Sequence, residues 1–205
     1  MPITVSELFR QTDIKVYGPV RWGAPVSCGQ PGVYVVALSG DPEKPICLDK
    51  PPLSDASISE WINRVPNMII SGTTPTVESI SARIRRFWLP NETVIYIGST
   101  NRALKDRVGE FYKHKLGFGA PHCGGHWLKT LLNISDLYVF WSAIVADPEG
   151  KEGKLLSEFH NSAINVHATI QPNEVIMPFA NLQAPAIDTK RKCYRKKHGV
   201  SSPTL

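Results

Sequence analysis

Apolar residues fall along this chain in short runs of two kinds. Val33–Leu38 is a continuous apolar stretch closed by Ser39-Gly40-Asp41-Pro42, the pattern of a buried strand and its turn. Thr93–Ile97, ended by Gly98, predicts a second short strand, and Leu137–Val145, rich in aromatic and β-branched residues, a third. Elsewhere the spacing becomes helical. One helix is expected around Ser54–Arg64, broken at Pro66. A second runs from Thr74-Pro75 to about Trp88, with Pro75 in its first turn and a stripe of Val77, Ile80, Ile84 and Phe87. Arg83, Arg85 and Arg86 are left partly outward on it. A third spans about Asn101 to Leu116, with Leu104, Val108 and Phe111 as its stripe and Gly117 as its stop. Further helices are expected near His126–Asn133 and after Asp147-Pro148, the latter carrying Leu155, Leu156 and Phe159. Residues 1–30, punctuated by Gly18-Pro19, Gly23-Ala24-Pro25 and Gly29-Gln30-Pro31, are expected to be irregular.

Composition adds limits. The 205 residues, 42% hydrophobic and 20% charged, suit one soluble domain that buries its own core. No apolar run reaches the length of a membrane span, so no membrane partner is expected. With no secretory leader and no CxxC among Cys28, Cys47, Cys123 and Cys193, the expectation is a cytoplasmic protein with free thiols. Cys123 and His126 have zinc-knuckle spacing, but no second knuckle supplies the remaining ligands. A Gly-rich loop entering a helix at His126 is the preferred reading.

Charge changes the picture more. The net +5 conceals six basic residues between Lys190 and Lys197 (Lys190, Arg191, Lys192, Arg195, Lys196 and Lys197). The remainder is divided: residues 83–129 hold nine basic and three acidic groups, while residues 130–189 hold two and seven. A cationic block followed by an acidic one suits a protein that grips phosphate with one part and offers carboxylates from another.

The polar residues within this frame come in a telling order. Pro31-Gly32-Val33-Tyr34 is followed by Tyr96-Ile97-Gly98-Ser99-Thr100, then by Leu104-Lys105-Asp106-Arg107-Val108, a glutamate-bearing helix and Pro178-Phe179-Ala180-Asn181. This ordered set, with Arg107 nine residues after Gly98, resembles the GIY-YIG nuclease superfamily over residues 31–38 and 93–181. The resemblance implies an α+β fold: a small antiparallel sheet of about three core strands flanked by helices. Residues 39–92 would then be a helical insertion between the first two core strands. Residues 1–189 would form a single domain and residues 190–205 a basic tail.

It also implies a chemistry. A phosphodiester is anionic, so its hydrolysis needs an activated water and positive charge on the phosphate and leaving oxygen. Tyr34 and Tyr96 are the residues for water positioning and proton transfer, with the accepting tyrosine left open. Arg107 offers a permanent planar fork for the phosphate oxygens. Asn181 would orient the metal carboxylate or a phosphate. One carboxylate would hold Mg²⁺, or another divalent cation such as Mn²⁺. Glu152, with apolar residues three and four positions on and Phe159 seven on, is preferred as that ligand over Glu158.

Three departures stand out. The family commonly has Tyr or His one turn after the Arg; here Phe111 reads as core. His114 or the adjacent Tyr112 could substitute, His114 lying roughly 20° from Arg107 around a continuous helix. A Lys frequent after Tyr-Ile-Gly is replaced by Ser99. Finally, 61 residues separate Tyr34 from Tyr96.

The expected function is thus a metal-dependent endonuclease of double-stranded DNA, most like the compact type II restriction enzymes, since no separate DNA-binding module is evident. Arg83, Arg86, Lys105, Lys113, Lys190, Arg191 and Lys192 are the DNA-binding candidates. For Arg83 and Arg86, phosphate contact or solvent is weighed ahead of base readout, which Gln183 could also provide. A homodimer on a palindromic site is compatible with this. A repair, mobile-element or structure-specific nuclease is the alternative within the family, and a non-catalytic DNA-binding module the alternative outside it.

Overall fold

The computed structural model describes residues 2–70, 72–118, 125–166 and 176–182. Its centre is β2 (Gly32–Ala37), buried at every position. Both sides of β2 are paired, antiparallel, with β3 (Val94–Thr100) on one and β4 (Tyr138–Ala143) on the other. Helices cover both faces, which is why β2 is apolar throughout rather than alternating. A fourth strand, β1 (Tyr17–Arg21), pairs with β4 and completes the antiparallel order β1-β4-β2-β3. The α+β architecture expected from the sequence is present, with four strands instead of about three.

Six helices surround the sheet among the described residues: α1 (Val5–Gln11), α2 (Asp55–Arg64), α3 (Val77–Arg85), α4 (Leu104–Lys113), α5 (Gly125–Lys129) and α6 (Pro148–Val166). Alternation divides them between two cores. Tyr34, Val36, Val139 and Trp141 join Ile58, Trp61, Ile80, Ile84, Val108 and Phe111. Val33, Val35, Ala37 and Phe140 join Leu8 and Phe9 of α1 and Leu155, Leu156 and Phe159 of α6.

Several boundaries differ from those expected. Residues 1–30 are not wholly irregular: Thr4 caps α1 through the Glu7 N–H, and β1 follows. The tripeptide Tyr17-Gly18-Pro19 hides that strand, because Gly and Pro are poor strand formers tolerated at a sheet edge. α3 begins after Thr76, not at Pro75, because Thr76 and Ser79 form a reciprocal capping box. β3 continues through Gly98 to Thr100, since Gly98 pairs with Tyr34. α4 is shorter than its periodicity predicts, ending at Lys113, and α5 stops at Lys129. Cys28 and Cys47 are free thiols. Cys123, Cys193, Gln183 and the tail from Lys190 lie outside the described residues. No helix among the described residues is long and apolar enough to cross a membrane.

The segment between β2 and β3 carries α2 and α3, which pack on each other and on the first core. Trp88 belongs to this packing, its indole N–H donating to the Leu48 carbonyl at 3.0 Å. Glu92, in the turn before β3, is 3% exposed, and burial pushes its carboxyl up from 4.5 to about 7. A carboxyl whose folded pKa is raised binds more protons when folded, so its contribution declines as pH rises between those two values. Denaturant unfolding is therefore expected to show wild type losing up to about 3 kcal/mol between pH 5 and pH 8 relative to Glu92→Gln. Parallel pH profiles for the two proteins would contradict this.

Candidate active site

The sheet register makes the site. Tyr34 on β2 lies opposite Gly98 on β3, and Val36 lies opposite Tyr96. Tyr34, Tyr96 and Gly98 therefore share one face. The two phenol rings lie with centroids 5.7 Å apart, and Gly98 leaves them room. A Cβ at position 98 would come within 2.7 Å of the Tyr96 ring and 2.9 Å of Tyr34 Cζ. Any other residue would separate the tyrosines.

Both phenols are buried, and burial is the dominant influence on their acidity. Tyr34 is pushed up to about 12, with Arg107 and a hydrogen bond from Tyr96 pulling the other way. Tyr96 is raised well above 10, first by burial and then by Tyr34 and Glu152. Both are protonated near neutral pH. Tyr34 is the better placed to carry negative charge, because Arg107 and Tyr96 both hydrogen-bond its oxygen.

Arg107 is set by the start of α4. No side chain caps this helix; instead Leu104 N–H donates to the Gln30 carbonyl and Lys105 N–H to that of Cys28, each at 2.9 Å. The free amides of the first turn thus tie α4 to the chain entering β2. Leu104, Val108 and Phe111 face the core, leaving Arg107 at the rim with 24% of its side chain exposed.

Glu152 arrives from the opposite side. α6 packs on the face bearing Val33 and Val35, yet the Glu152 carboxylate accepts a hydrogen bond from the Ser99 hydroxyl, next to Gly98. From there its charge acts on both tyrosines. The carboxylate and phenols therefore meet around the β3 edge. Glu158 lies about 240° further around the helix and joins none of these interactions. The structure brings together Tyr34, Tyr96, Arg107 and Glu152.

The remaining expected site residues have contacts of their own. His114 follows the end of α4 in an extended conformation, so the helical phase that would align it with Arg107 is broken. Its ring instead packs edge-on against His126, 4.7 Å away, which stacks on Trp61. Phe111 is core, with its centroid 5.0 Å from Tyr96 and 6.2 Å from Tyr34. Asn181 reaches the site's margin, but its carboxamide is engaged with backbone. It accepts from Ile97 N–H at 2.9 Å and donates to Ile97 C=O at 2.7 Å, acting as a one-residue strand partner. These two bonds clamp β3 beside the tyrosines.

Among the DNA-binding candidates, Arg86, Lys105 and Lys113 are exposed, while Arg83 is half-buried with its guanidinium over the Phe87 ring. Lys190, Arg191 and Lys192 lie outside the described residues. Lys129 is turned inward, its ammonium bonded to the Tyr112 carbonyl and lying over the Trp22 ring. Ser99 and Glu110 were not anticipated. Glu110 had a signal, since it follows Arg107 at i,i+3 on one helix; the Ser99 contact is long-range and had none.

Comparison of the chain with family models, curated proteins and solved structures returns no match. Function rests on the geometry.

Asn181→Ala removes both bonds to Ile97 and leaves buried backbone groups unpaired. It is expected to cost roughly 2–3 kcal/mol and to lower the thermal midpoint by roughly 5–10 °C. Asn181→Asp, which sets a second oxygen against the Ile97 carbonyl, should do no better than Ala. An unchanged midpoint in both would refute the clamp.

Proposed function

We propose that the chain is a metal-dependent endonuclease of double-stranded DNA, of GIY-YIG type and most like the compact type II restriction enzymes. The observation carrying this reading is the convergence of two buried phenols, a guanidinium and a carboxylate from four separate elements. Each is a group that phosphodiester hydrolysis uses, and a packing core has no need to gather them.

The residues divide the work by chemistry. Arg107 neutralises charge on the scissile phosphate as it builds toward the transition state. Tyr34 and Tyr96, protonated in the free chain, orient the attacking water through their hydroxyls. For Tyr34 to act as the base its phenol proton must first pass to solvent; the phenolate, stabilised by Arg107 and the Tyr96 hydroxyl, then takes one proton from the attacking water and returns to phenol. Ser99 fixes the Glu152 carboxylate at the edge of the group.

Glu152 suits a hard cation, because Mg²⁺ binds through one or two carboxylates and completes its shell with water and substrate phosphate. No group of three or more His, Cys, Asp or Glu among the described residues could cage a metal, which fits an ion shared with DNA. When bound, Mg²⁺ or Mn²⁺ supplies positive charge to the leaving oxygen.

Arg86, Lys105 and Lys113, exposed cations of residues 83–129, serve as phosphate contacts in this reading. Target reading falls to the segment carrying α2 and α3, and cutting of both strands favours a homodimer on DNA. The reading places the protein in the cytoplasm. One observation favours a non-catalytic DNA-binding module instead: Phe111, at the position where the family commonly has Tyr or His, is core.

Incubation of purified protein with Mg²⁺ and a mixed-sequence plasmid separates the readings. Discrete bands are expected; a smear favours a repair, mobile-element or structure-specific enzyme, and no cleavage over a range of metals and salt overturns the nuclease reading. Arg107→Ala and Glu152→Ala are expected to reduce single-turnover cleavage by at least about 10²-fold while sparing low-salt DNA binding. Glu158→Ala should cut normally; the reverse result moves the metal ligand to Glu158. Removal of residues 190–205 is expected to weaken DNA affinity and flatten its salt dependence. Loss of low-salt cleavage in that truncated protein would show that the tail belongs to the site or fold.

A further inference from the structure

Lys129, at the end of α5, is a cation that the fold holds without an anion. Its side chain is half-buried, with Nζ donating to the Tyr112 carbonyl at 2.7 Å and lying 5.1 Å from the centre of the Trp22 ring. An ammonium has three N–H donors, and this carbonyl takes one. Among the described residues, no carboxylate lies within ion-pair range of Lys129. Burial alone pushes its ammonium below the ordinary lysine range, with no neighbouring charge acting on it. A carbonyl and a ring face return only part of what a cation loses on leaving water.

The place of this charge ties it to the site. Tyr112 follows Arg107 on α4 by five residues, about 7–8 Å along the helix axis. Trp22 packs edge-on with both Phe111 and Tyr112, at 5.1 and 4.9 Å between ring centres. Phe111 in turn packs against the Tyr96 and Tyr34 rings. Lys129 is thus pinned, through one helix and one aromatic cluster, to the elements that carry Arg107 and the phenols. A lysine already fixed loses less rotamer freedom on gripping a ligand than one waving in solvent. Half-buried, it is also screened less by salt.

We propose that Lys129 binds a second backbone phosphate of the DNA, beside the one that Arg107 takes. The phosphate supplies the anion that the fold omits. This rests on the nuclease reading for the phosphate at Arg107, but the Lys129 contact is measurable without cleavage. A lysine can also serve only to cap the last carbonyls of a helix, here that of Tyr112 on α4. Such a cap needs a donor and no charge, and the two roles part there.

Lys129→Gln keeps an N–H for the Tyr112 carbonyl and removes the charge, while Lys129→Met removes both. Binding of each protein to a mixed-sequence DNA duplex is measured over a range of salt, without divalent metal and well below each thermal midpoint. Lys129→Gln is expected to weaken low-salt binding by roughly tenfold and to reduce the salt slope by about one. Lys129→Arg, which keeps the charge, should retain most of the affinity. If Lys129→Gln binds with wild-type affinity and slope, and only Lys129→Met lowers the thermal midpoint, Lys129 is a cap and the proposal is overturned.

The second measurement locates the phosphate. On a duplex carrying the cleaved sequence, neutral methylphosphonates replace the phosphates near the cut one at a time. One replacement should weaken binding of wild type and leave that of Lys129→Gln unchanged, because its partner charge is already gone. If every replacement costs both proteins equally, Lys129 meets no phosphate and the proposal is overturned. Absence of cleavage by wild type overturns the nuclease reading, and the salt slope then decides the Lys129 contact by itself.

Discussion

The missing side chain at Gly98 is the constraint on which the site depends. Tyr34 and Gly98 are paired across β2 and β3, so whatever stands at position 98 projects beneath the phenols. With hydrogen there, the rings approach to 5.7 Å and their hydroxyls meet; with any Cβ they collide with it. The same neighbourhood gives Ser99 its contact with Glu152 and Ile97 its clamp from Asn181. Three consecutive residues of an edge strand therefore serve three supports of the site. That strand cannot shift by one position without turning Tyr96 to the other core.

Electrostatics then sorts the groups. Burial opposes ionisation of both tyrosines, and Arg107 opposes burial only at Tyr34 to an extent that leaves it near 12. The two phenols, alike in sequence context, are thereby made unlike in chemistry. Glu152, from the acidic block, and Arg107, from the basic one, meet beside them because α4 and α6 cover opposite faces of one small sheet. The charge segregation along the chain thus becomes charge juxtaposition in the fold. Glu110, one turn along the same helix, lies within ion-pair range of Arg107.

Much of this was legible in the sequence, for identifiable reasons. β2 and β4 were visible as apolar and β-branched runs, and α2 and α6 as helical spacings with the caps Ser54 and Asp147. The set Tyr34, Tyr96, Arg107 and Glu152 was visible as an ordered pattern, with Glu158 kept as the alternative to Glu152. What stayed hidden depended on partners distant in sequence. β1 is stabilised by pairing with β4 more than by its own Tyr17-Gly18-Pro19 start. The end of α4 was placed too late, since the helix stops at Lys113 although the apolar stripe continues to Leu116. Asn181 was expected at the chemistry, yet its two bonds to Ile97 span 84 residues and no local rule foretells them.

The central proposal is that the guanidinium of Arg107 and the carboxylate of Glu152 serve the same phosphodiester cleavage step. A double-mutant cycle on single-turnover DNA cleavage tests it most directly, because residues of one unit lose their effects together rather than in proportion. The account predicts that the Arg107→Ala, Glu152→Ala double variant cuts no more slowly than the worse single variant. Losses that multiply would mean that the two residues serve independent steps, and undiminished cutting by either single variant would place the chemistry elsewhere in the molecule.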